Sequence, residues 1–281
     1  MIKRVLVCTD GSQYSETACA YAIHLAKRLQ ADLTGVHVLD SRLLEGPLLS
    51  DISGWIGAQP YGNQLQQFRD ILEHKGRAVI DAFNETCAAA GVNSEGILRM
   101  GHPARALLDE EDNADILVLG QRGVHVDIIG DGMGSVIERV VRHSAKPCLV
   151  TPATFRETNN IMLAYDGSEH AKHALQYAIF LSKTLDLELI IMTVADDKDE
   201  AMAERVSEEA MQVAETQDCR AISLVCEGRR SAHVILDVVD EQGADLLIMG
   251  AYGHSRIREL VLGSTTHHVI THAAIPVLLV R

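Results

Sequence analysis

The sequence is poor in aromatic residues, which make up 4% of its 281 positions and include one tryptophan. It contains no run of about eighteen consecutive apolar residues, so no transmembrane helix is predicted, and residues 1–4 lead into a strand-like pattern without the layout of a signal peptide. Basic residues are also scarce, because 25 Lys and Arg stand against 39 Asp and Glu, for a formal net charge of −14. Divided at residue 150, both halves are acidic, which argues against electrostatic binding to nucleic acid. We therefore expect a cytoplasmic protein that binds neither membranes nor nucleic acid.

The six cysteines include no CxxC pair, so the sequence offers no common disulfide or zinc pattern. Cys8, Cys148 and Cys226 lie in apolar, strand-like runs, where a free cysteine behaves as a small hydrophobic residue. We expect the cysteines to contribute to packing.

An internal repeat organises the chain. Residues 5–12 (VLVCTDGS) reappear at 161–168 (IMLAYDGS), and residues 114–120 (ADILVLG) reappear at 244–250 (ADLLIMG). The offsets are 156 and 130 residues, and their difference of 26 residues indicates an insertion in the first copy. A period of this length indicates duplicated domains and not a solenoid. We expect domains at 1–152 and 157–281, an insertion at about 40–63, and a linker at 153–159.

Each copy alternates short apolar runs with segments of helical periodicity. In the second copy the pattern predicts strands near 160–166, 187–194, 221–226, 245–250 and 276–280, and helices near 169–184, 199–217, 230–242 and 264–273. Strands without polar alternation are typical of a parallel sheet that helices cover on both faces. The fold class is therefore α/β, with a five-stranded, parallel, doubly wound sheet in each copy. Ser12 and Ser168 follow the first strand of their copies and are predicted to cap the next helix.

A glycine-bearing segment follows the fourth strand of the second copy. Gly250 and Gly253 are followed, after nine residues, by Gly263, Ser264 and Thr265, which open the last helix. Glycines allow close approach of the backbone to a ligand, and a helix N-terminus attracts a phosphate. The same residues also suit turn and capping chemistry alone. The segment is neither a Walker A loop nor a GxGxxG motif.

With this spacing, the chain resembles the tandem-domain members of the universal stress protein family over essentially all of its length. The nucleotide-binding branch of that family carries G-x2-G-x9-G-[ST] after strand four, which Gly250, Gly253, Gly263 and Ser264 match. An Asp ends strand one (Asp10, Asp166) and a Val closes strand two (Val38, Val194), as in the family. The resemblance implies two flavodoxin-like or Rossmann-like domains packed as an internal pseudo-dimer through their last strands.

The resemblance also implies roles in binding ATP or another adenine nucleotide. Asp166 and Val194 would lie near ribose and adenine, Gly250 and Gly253 would flank the sugar and the phosphates, and Gly263, Ser264 and Thr265 would hold the phosphates. The loop between the glycines contributes His254, Ser255 and Arg256 as further candidate ligands. No residue of the motif is expected to be catalytic.

The first copy departs from this pattern. Ten residues separate its pair Gly120 and Gly123 from Gly134 and Ser135, and the spacer contains Asp127 and Asp131. Two carboxylates repel a triphosphate unless a cation lies between them. This copy, with its own Asp10 and Val38, is either a degenerate site or a site that uses Mg2+.

Two further clusters leave alternatives open. His268 and His272 are spaced i, i+4, which suits zinc or a surface role, and Trp55 lies in an apolar patch of the insertion that suits a lid, a partner surface or core packing. The expected function is a stress-response, nucleotide-dependent regulator with an unidentified protein partner, either self-contained or also a homodimer. The alternatives are a nucleotide-free interaction protein and a slow ATPase or phosphotransfer enzyme.

Overall fold

The computed structural model describes residues 2–45, 61–123, 133–195, 200–251 and 262–281. Its first half contains β1 (Arg4–Cys8), α1 (Gln13–Leu29), β2 (Asp32–Asp40), α2 (Arg42–Glu45), α3 (Tyr61–Ala90), β3 (Ser94–Gly101), α4 (Pro103–Glu110), a 3-10 turn (Glu111–Asn113), β4 (Ile116–Gly120), α5 (Ser135–His143) and β5 (Cys148–Thr151). Its second half contains β6 (Ile161–Ala164), α6 (Glu169–Leu185), β7 (Leu189–Ala195), α7 (Glu200–Thr216), β8 (Ala221–Glu227), α8 (Ser231–Glu241), β9 (Leu246–Gly250), α9 (Ser264–His272) and β10 (Val277–Val280).

One ten-stranded sheet joins the two halves, in the order β3-β2-β1-β4-β5-β10-β9-β6-β7-β8. Each half therefore has the strand order 3-2-1-4-5 of a Rossmann-like sheet, with parallel pairing between neighbours. The halves meet where β5 and β10 pair antiparallel, with Leu149 opposite Leu278. These two leucines are equivalent positions of the repeat, so the pairing has the pseudo-two-fold symmetry that the resemblance implied.

The core forms two layers, one on each face of the sheet. Val5 and Val7 belong to the layer that also contains side chains of α1, α3, α6 and α7. Leu6 belongs to the other layer, which contains side chains of α4, α5, α8 and α9. This alternation follows from the two-residue period of a strand. Both layers run through both halves, so the apolar core is continuous across the pseudo-two-fold.

Polar contacts reinforce the junction between the halves. The buried Gln121 donates its Nε2–H to the carbonyl of Ala273 at 2.8 Å. Arg28 donates to the carbonyl of Leu185 at 2.9 Å. Because these partners come from different copies of the repeat, the junction is specified by polar contacts as well as by strand pairing.

The elements predicted in the second copy are confirmed to within three residues at their ends. The predicted serine caps are also found, since Ser12 accepts from the backbone N–H of Ser15 and Ser168 accepts from that of Ala171, both at 3.2 Å. All six cysteines are free; Cys8 and Cys226 are half-buried, and the other four are buried.

The added length of the first copy is partly helical. Helix α3 has 30 residues and its counterpart α7 has 17. When the C-terminal ends of the two helices are aligned, α3 therefore begins thirteen residues before α7. The apolar patch around Trp55 lies outside the described residues. Among the helices in the described ranges, none has the combination of length and apolar character needed to cross a membrane.

Candidate functional site

A cavity of about 240 Å³ opens at the carboxyl ends of the strands in the second half, which we call the second cavity. It lies where β6 and β9 are neighbours and the strand order reverses, the usual ligand position in a doubly wound sheet. Its described lining comprises Ala164, Tyr165, Asp166, Met192, Val194, Ser231, Ile235, Met249, Gly250, Gly263, Ser264, Thr265 and Thr266.

The start of α9 forms the polar end of the second cavity. Gly263 is the N-cap residue, with φ −56° and ψ 143°, and no side chain of the described residues caps the helix there. By contrast, α6 begins at the same edge of the sheet and is capped by Ser168. The first backbone N–H groups of α9 are therefore left for a ligand, and the hydroxyls of Ser264 and Thr265 add donors beside them.

The opposite part of the second cavity is apolar. Met192, Met249 and Ile235 are buried, and with Val194 they form a surface suited to a flat, weakly polar group. Tyr165 is also buried, and burial raises the pKa of its hydroxyl, so the ring remains uncharged at neutral pH. The cavity thus has one end suited to an anion and one end suited to an aromatic ring.

Asp166 is exposed at the mouth of the second cavity, and the turn that follows fixes its position. Its Oδ1 accepts the backbone N–H of Ser168 at 2.9 Å, and Gly167 between them has φ +75°, which favours glycine. A carboxylate held in this way is a suitable acceptor for the hydroxyls of a sugar.

Gly250 has a packing role in addition to its place in the cavity wall. A Cβ at this position would lie 3.0 Å from the backbone N of Ala171 and 3.0 Å from the backbone C of His170. Glycine is therefore required for the close approach of β9 to α6. Spacing alone had not predicted this function for the first glycine of the motif.

The first half contains an equivalent first cavity of about 230 Å³. Its described lining comprises Cys8, Asp10, Ser15, Val38, Asp40, Arg42, Pro103, Leu119, Gly120, Arg122, Gly123, Gly134, Ser135, Val136 and Ile137. Helix α5 begins at Gly134 without a side-chain cap, as α9 does at Gly263. The repeat has therefore preserved an uncapped helix N-terminus in both cavities.

The two cavities differ in charge. Arg42 and Arg122 line the first cavity, whereas the described lining of the second contains neither Arg nor Lys. Arg42 donates from Nε to both oxygens of Asp40, at 2.9 and 3.0 Å, and this holds the pKa of the Asp40 carboxyl below its ordinary value. Burial raises the pKa of the Cys8 thiol, which therefore remains protonated and is a poor nucleophile.

Close contacts also define the glycines of the first cavity. A Cβ on Gly120 would lie 2.8 Å from Cβ and 2.9 Å from the backbone of Tyr14, which repeats the packing role of Gly250. A Cβ on Gly123 would lie 2.9 Å from Oδ2 of Asp10, so this glycine lets the loop approach the carboxylate.

The structure brings twelve of the sixteen candidate residues into the two cavities: Asp10, Val38, Gly120, Gly123, Gly134 and Ser135 in the first, and Asp166, Val194, Gly250, Gly263, Ser264 and Thr265 in the second. Gly253, His254, Ser255 and Arg256 lie outside the described residues, as do Asp127 and Asp131.

Sequence reasoning missed three kinds of lining residue. The apolar part of the second cavity includes Met192 and Met249, and their position near the ends of strands could have indicated that they line a cavity there. Tyr165 was signalled by its place directly before Asp166. Arg42 lies in the stretch interpreted as an insertion, where no local pattern indicated contact with the cavity.

The histidines of α9 stack with a neighbour from α8. The ring centroids of His268 lie 4.5 Å from those of His233 and 4.1 Å from those of His272, with the rings nearly parallel. Within the described residues, no group of three His, Cys, Asp or Glu side chains is arranged to hold a metal ion. The i, i+4 spacing therefore corresponds here to ring stacking.

Comparison with known proteins identifies the family to which the sequence belongs. The sequence profile of the universal stress protein family matches residues 1–152 and, separately, residues 157–281. The chain belongs to the universal stress protein family. Two matches in one chain make it a tandem universal stress protein.

Related proteins match either the whole chain or about half of it. The chain is 33% identical over 288 residues to the universal stress protein Slr1230 of Synechocystis, with all of both chains covered. It is 29% identical over 152 residues to the universal stress protein YxiE of Bacillus subtilis, which covers 53% of this chain and 99% of that protein. The crystal structure of a universal stress protein from Archaeoglobus fulgidus covers 99% of this chain and 98% of its own, with a TM-score of 0.75 and 24% identity. The tandem fold is therefore shared at full length.

Proposed function

We propose that this tandem universal stress protein is a stress-response regulator that binds an adenine nucleotide, ATP in the first instance, in its second cavity. The observation that carries the proposal is the uncapped N-terminus of α9 opposite an apolar wall, within one cavity at the switch point of the sheet. Phosphates suit the first of these features and adenine suits the second.

The individual residues fit the parts of such a nucleotide. Gly263, Ser264 and Thr265 would hold the phosphates, Asp166 would accept hydrogen bonds from the ribose, and Val194 would lie near adenine. The G-x2-G-x9-G-[ST] spacing supports this assignment, because the family's nucleotide-binding branch carries it. Gly253, His254, Ser255 and Arg256 remain proposed ligands from that resemblance alone. We keep 1–152 and 157–281 as the proposed domains and the cytoplasm as the proposed location.

The first cavity is a second candidate for the same ligand class. Its wall carries Arg122, and Arg42 balances the charge of Asp40, so the cavity is less acidic than its two carboxylates alone would make it. Helix α5 presents the same uncapped start. Val136 stands where the second cavity has Thr265, so one hydroxyl donor is missing. We propose that the first cavity binds the nucleotide more weakly than the second does, with Mg2+ as a candidate ion bound together with the nucleotide.

The proposed action is regulatory. Oδ1 of Asp166 accepts a backbone N–H, and burial keeps the Tyr165 hydroxyl uncharged, so we expect binding without rapid hydrolysis. The nucleotide would act as a ligand that changes affinity for a protein partner.

Calorimetric titration of the purified chain with Mg-ATP, Mg-GTP and adenosine tests the proposal. We expect ATP to bind more tightly than GTP, and Gly263→Val to lower ATP affinity at least tenfold, or about 1.4 kcal/mol. The matched control is Gly134→Val, the equivalent change in the first cavity, which should leave the tighter site intact. Unchanged affinity in Gly263→Val would favour a nucleotide-free interaction protein. Steady ATP turnover that Asp166→Asn abolishes would favour the enzyme alternative.

A further inference from the structure

The pseudo-two-fold creates two equivalent pockets beside the junction of the halves, and the linker fills one of them. Phe155 of the linker lies against Tyr21 and His24 of α1, with ring centroids 4.7 and 5.7 Å apart. The Tyr21 hydroxyl donates to the carbonyl of Thr154 at 3.3 Å and accepts the backbone N–H of Arg156 at 3.0 Å. We call this the linker pocket. Its tyrosine is 3% exposed.

The second pocket, the junction pocket, is formed by equivalent residues and has a volume of about 410 Å³. Its lining comprises Ile2, Asp115, Ala145, Lys146, Pro147, Gln176, Tyr177 and Phe180. Tyr177 and Phe180 occupy the places that Tyr21 and His24 occupy in the first copy, at the repeat offset of 156 residues. The junction pocket shares no described lining residue with either cavity at the carboxyl ends of the strands.

A carboxylate confirms the equivalence of the two pockets. Asp245 accepts the backbone N–H groups of Asn159 and Asn160 at 3.1 and 3.2 Å, just after the linker phenylalanine. Asp115 accepts the corresponding N–H groups of Lys3 and Arg4 at 2.8 and 2.9 Å. The same backbone geometry therefore frames both pockets.

The pockets differ in what covers the tyrosine. Tyr177 and Phe180 remain partly exposed, whereas Tyr21 is covered by the linker. Within the described ranges, no residue forms a hydrogen bond to the Tyr177 hydroxyl. The donor and acceptor that Tyr21 receives from linker backbone are thus missing at Tyr177.

The rim of the junction pocket carries a lysine at a position that is apolar in the other copy of the repeat. Lys146 stands where the second copy has Ile275, directly before the proline of the last strand. Asp115 is already bound by two N–H groups and lies 3.7 Å from the guanidinium of Arg4. Burial would raise the pKa of the Asp115 carboxyl, but these N–H groups and the charges of Arg4 and Lys146 lower it, so Lys146 already acts on Asp115. Lys146 forms no ion pair within the described residues, which leaves its ammonium group able to face a carboxylate on a ligand as well.

We propose that the junction pocket binds an extended peptide segment of a partner protein, which places an aromatic side chain against Tyr177 and Phe180 and a nearby carboxylate beside Lys146. The linker provides the pattern for the aromatic side chain and the backbone of this occupant, since Phe155 covers the tyrosine and its backbone neighbours satisfy the hydroxyl. The carboxylate is inferred from Lys146, and Glu157 supplies one in the linker sequence. The peptide would repeat on one side of the pseudo-two-fold what the chain already does on the other.

The linker sequence itself is the probe. A capped peptide of residues 152–157 (PATFRE) is titrated into the full-length, 15N-labelled protein, with backbone amide shifts as the readout; residues 158–160 are left out because residues 2–4 of the chain already occupy the corresponding places. A free peptide lacks the covalent tether that gives the linker a millimolar effective concentration, so we expect saturable binding in the low millimolar range. The shifts should concentrate on the amides of Gln176, Tyr177 and Phe180.

Two variants keep the test decisive. Tyr177→Ala should weaken binding at least fivefold, and Lys146→Glu, a change at the rim, should do the same without disturbing the core. Lys172→Ala, on the same helix but outside the pocket, is the matched control and should bind as the parent does. A peptide with Phe155→Ala should not bind.

Three results would overturn the proposal. One is the absence of localised shifts at 10 millimolar peptide, a concentration on the order of the tether's effective concentration. Another is equal binding by the parent, Tyr177→Ala and Lys146→Glu. The third is equally tight binding of N-acetylphenylalaninamide, which would assign the pocket to small aromatic molecules. None of these results depends on nucleotide, so they are separable from the test of the proposed function.

Discussion

Replacing Gly250 by alanine should affect the protein differently from replacing Gly263 by alanine. In Gly250→Ala, the new Cβ would lie 3.0 Å from backbone atoms of both His170 and Ala171, which cannot move without shifting α6. In Gly263→Ala, the nearest atom is Oγ1 of Thr266 at 3.5 Å, an ordinary van der Waals distance. The backbone at Gly263 (φ −56°, ψ 143°) is also open to any residue.

These contacts set the expected magnitudes. Forcing an extra carbon into a well-packed site costs about 1–3 kcal/mol, so Gly250→Ala should lower the free energy of unfolding by roughly 2 kcal/mol. In a chain of 281 residues that corresponds to a Tm lower by about 3–4 °C. Gly263→Ala should lower the free energy of unfolding by less than about 1 kcal/mol. This small loss is expected because alanine is a poorer N-cap than glycine.

The assay is urea unfolding of the two variants beside the parent, followed by titration with Mg-ATP. Gly120→Ala is the matched control in the first half, where the contacts with Tyr14 are tighter, and it should be destabilised at least as strongly as Gly250→Ala. Equal stability of Gly250→Ala and the parent would refute the packing argument. A Gly263→Ala protein less stable than Gly250→Ala would refute it as well.

Three further predictions address the caps, the junction and pH. Ser168→Ala removes the side-chain acceptor at the start of α6 and should cost about 1 kcal/mol in urea unfolding, whereas an unchanged midpoint would show that the cap contributes nothing. Gln121→Leu leaves the carbonyl of Ala273 without its donor and should cost about 1–3 kcal/mol; calorimetry showing no loss would contradict a role for this bond in the junction. Burial lowers the pKa of His24 and of His268, and the neighbouring histidines lower that of His268 further. As the pH falls, these side chains are therefore protonated at a higher pH in the unfolded chain than in the folded one. The free energy of unfolding should be greatest above about pH 7 and should decrease as the pH falls through 6.5, the ordinary pKa of histidine. His24→Gln should reduce this decrease. A urea unfolding midpoint that stays constant between about pH 7.5 and 5.5 would contradict the prediction.

Much of the fold could be predicted because the sequence repeats its own pattern. Residues 5–12 and 161–168 show the same strand, turn and capping serine, and each copy supports the interpretation of the other. Buried parallel strands are continuous apolar runs, which are recognisable without knowledge of their neighbours. The pairing of the two last strands was expected from the family resemblance, since local pattern does not specify which edges meet. The register that sets Leu149 opposite Leu278 was not predicted.

The site was predictable to the extent that it depends on backbone chemistry. Gly263 and Gly134 open helices after the fourth strand of each half, where the residues were compatible either with an anion site or with turn and capping chemistry alone. The contacts of Gly250 with α6 and the position of Arg42 were not predictable, because both depend on how separate elements pack. The stacking of Phe155 on Tyr21 is of the same kind, since a polar linker gave no sign that its one aromatic residue covers a helix.

The count of bound nucleotide tests the central claim most directly. The purified chain is equilibrated with millimolar Mg-ATP, freed of unbound ligand and denatured, and the released nucleotide is identified and counted by chromatography and mass spectrometry. We predict about one adenine nucleotide per chain, lost in Gly263→Val and retained in Gly134→Val, with a second equivalent only if the first cavity also binds tightly. No released adenine nucleotide, or an amount unchanged by Gly263→Val, would contradict nucleotide binding in the second cavity.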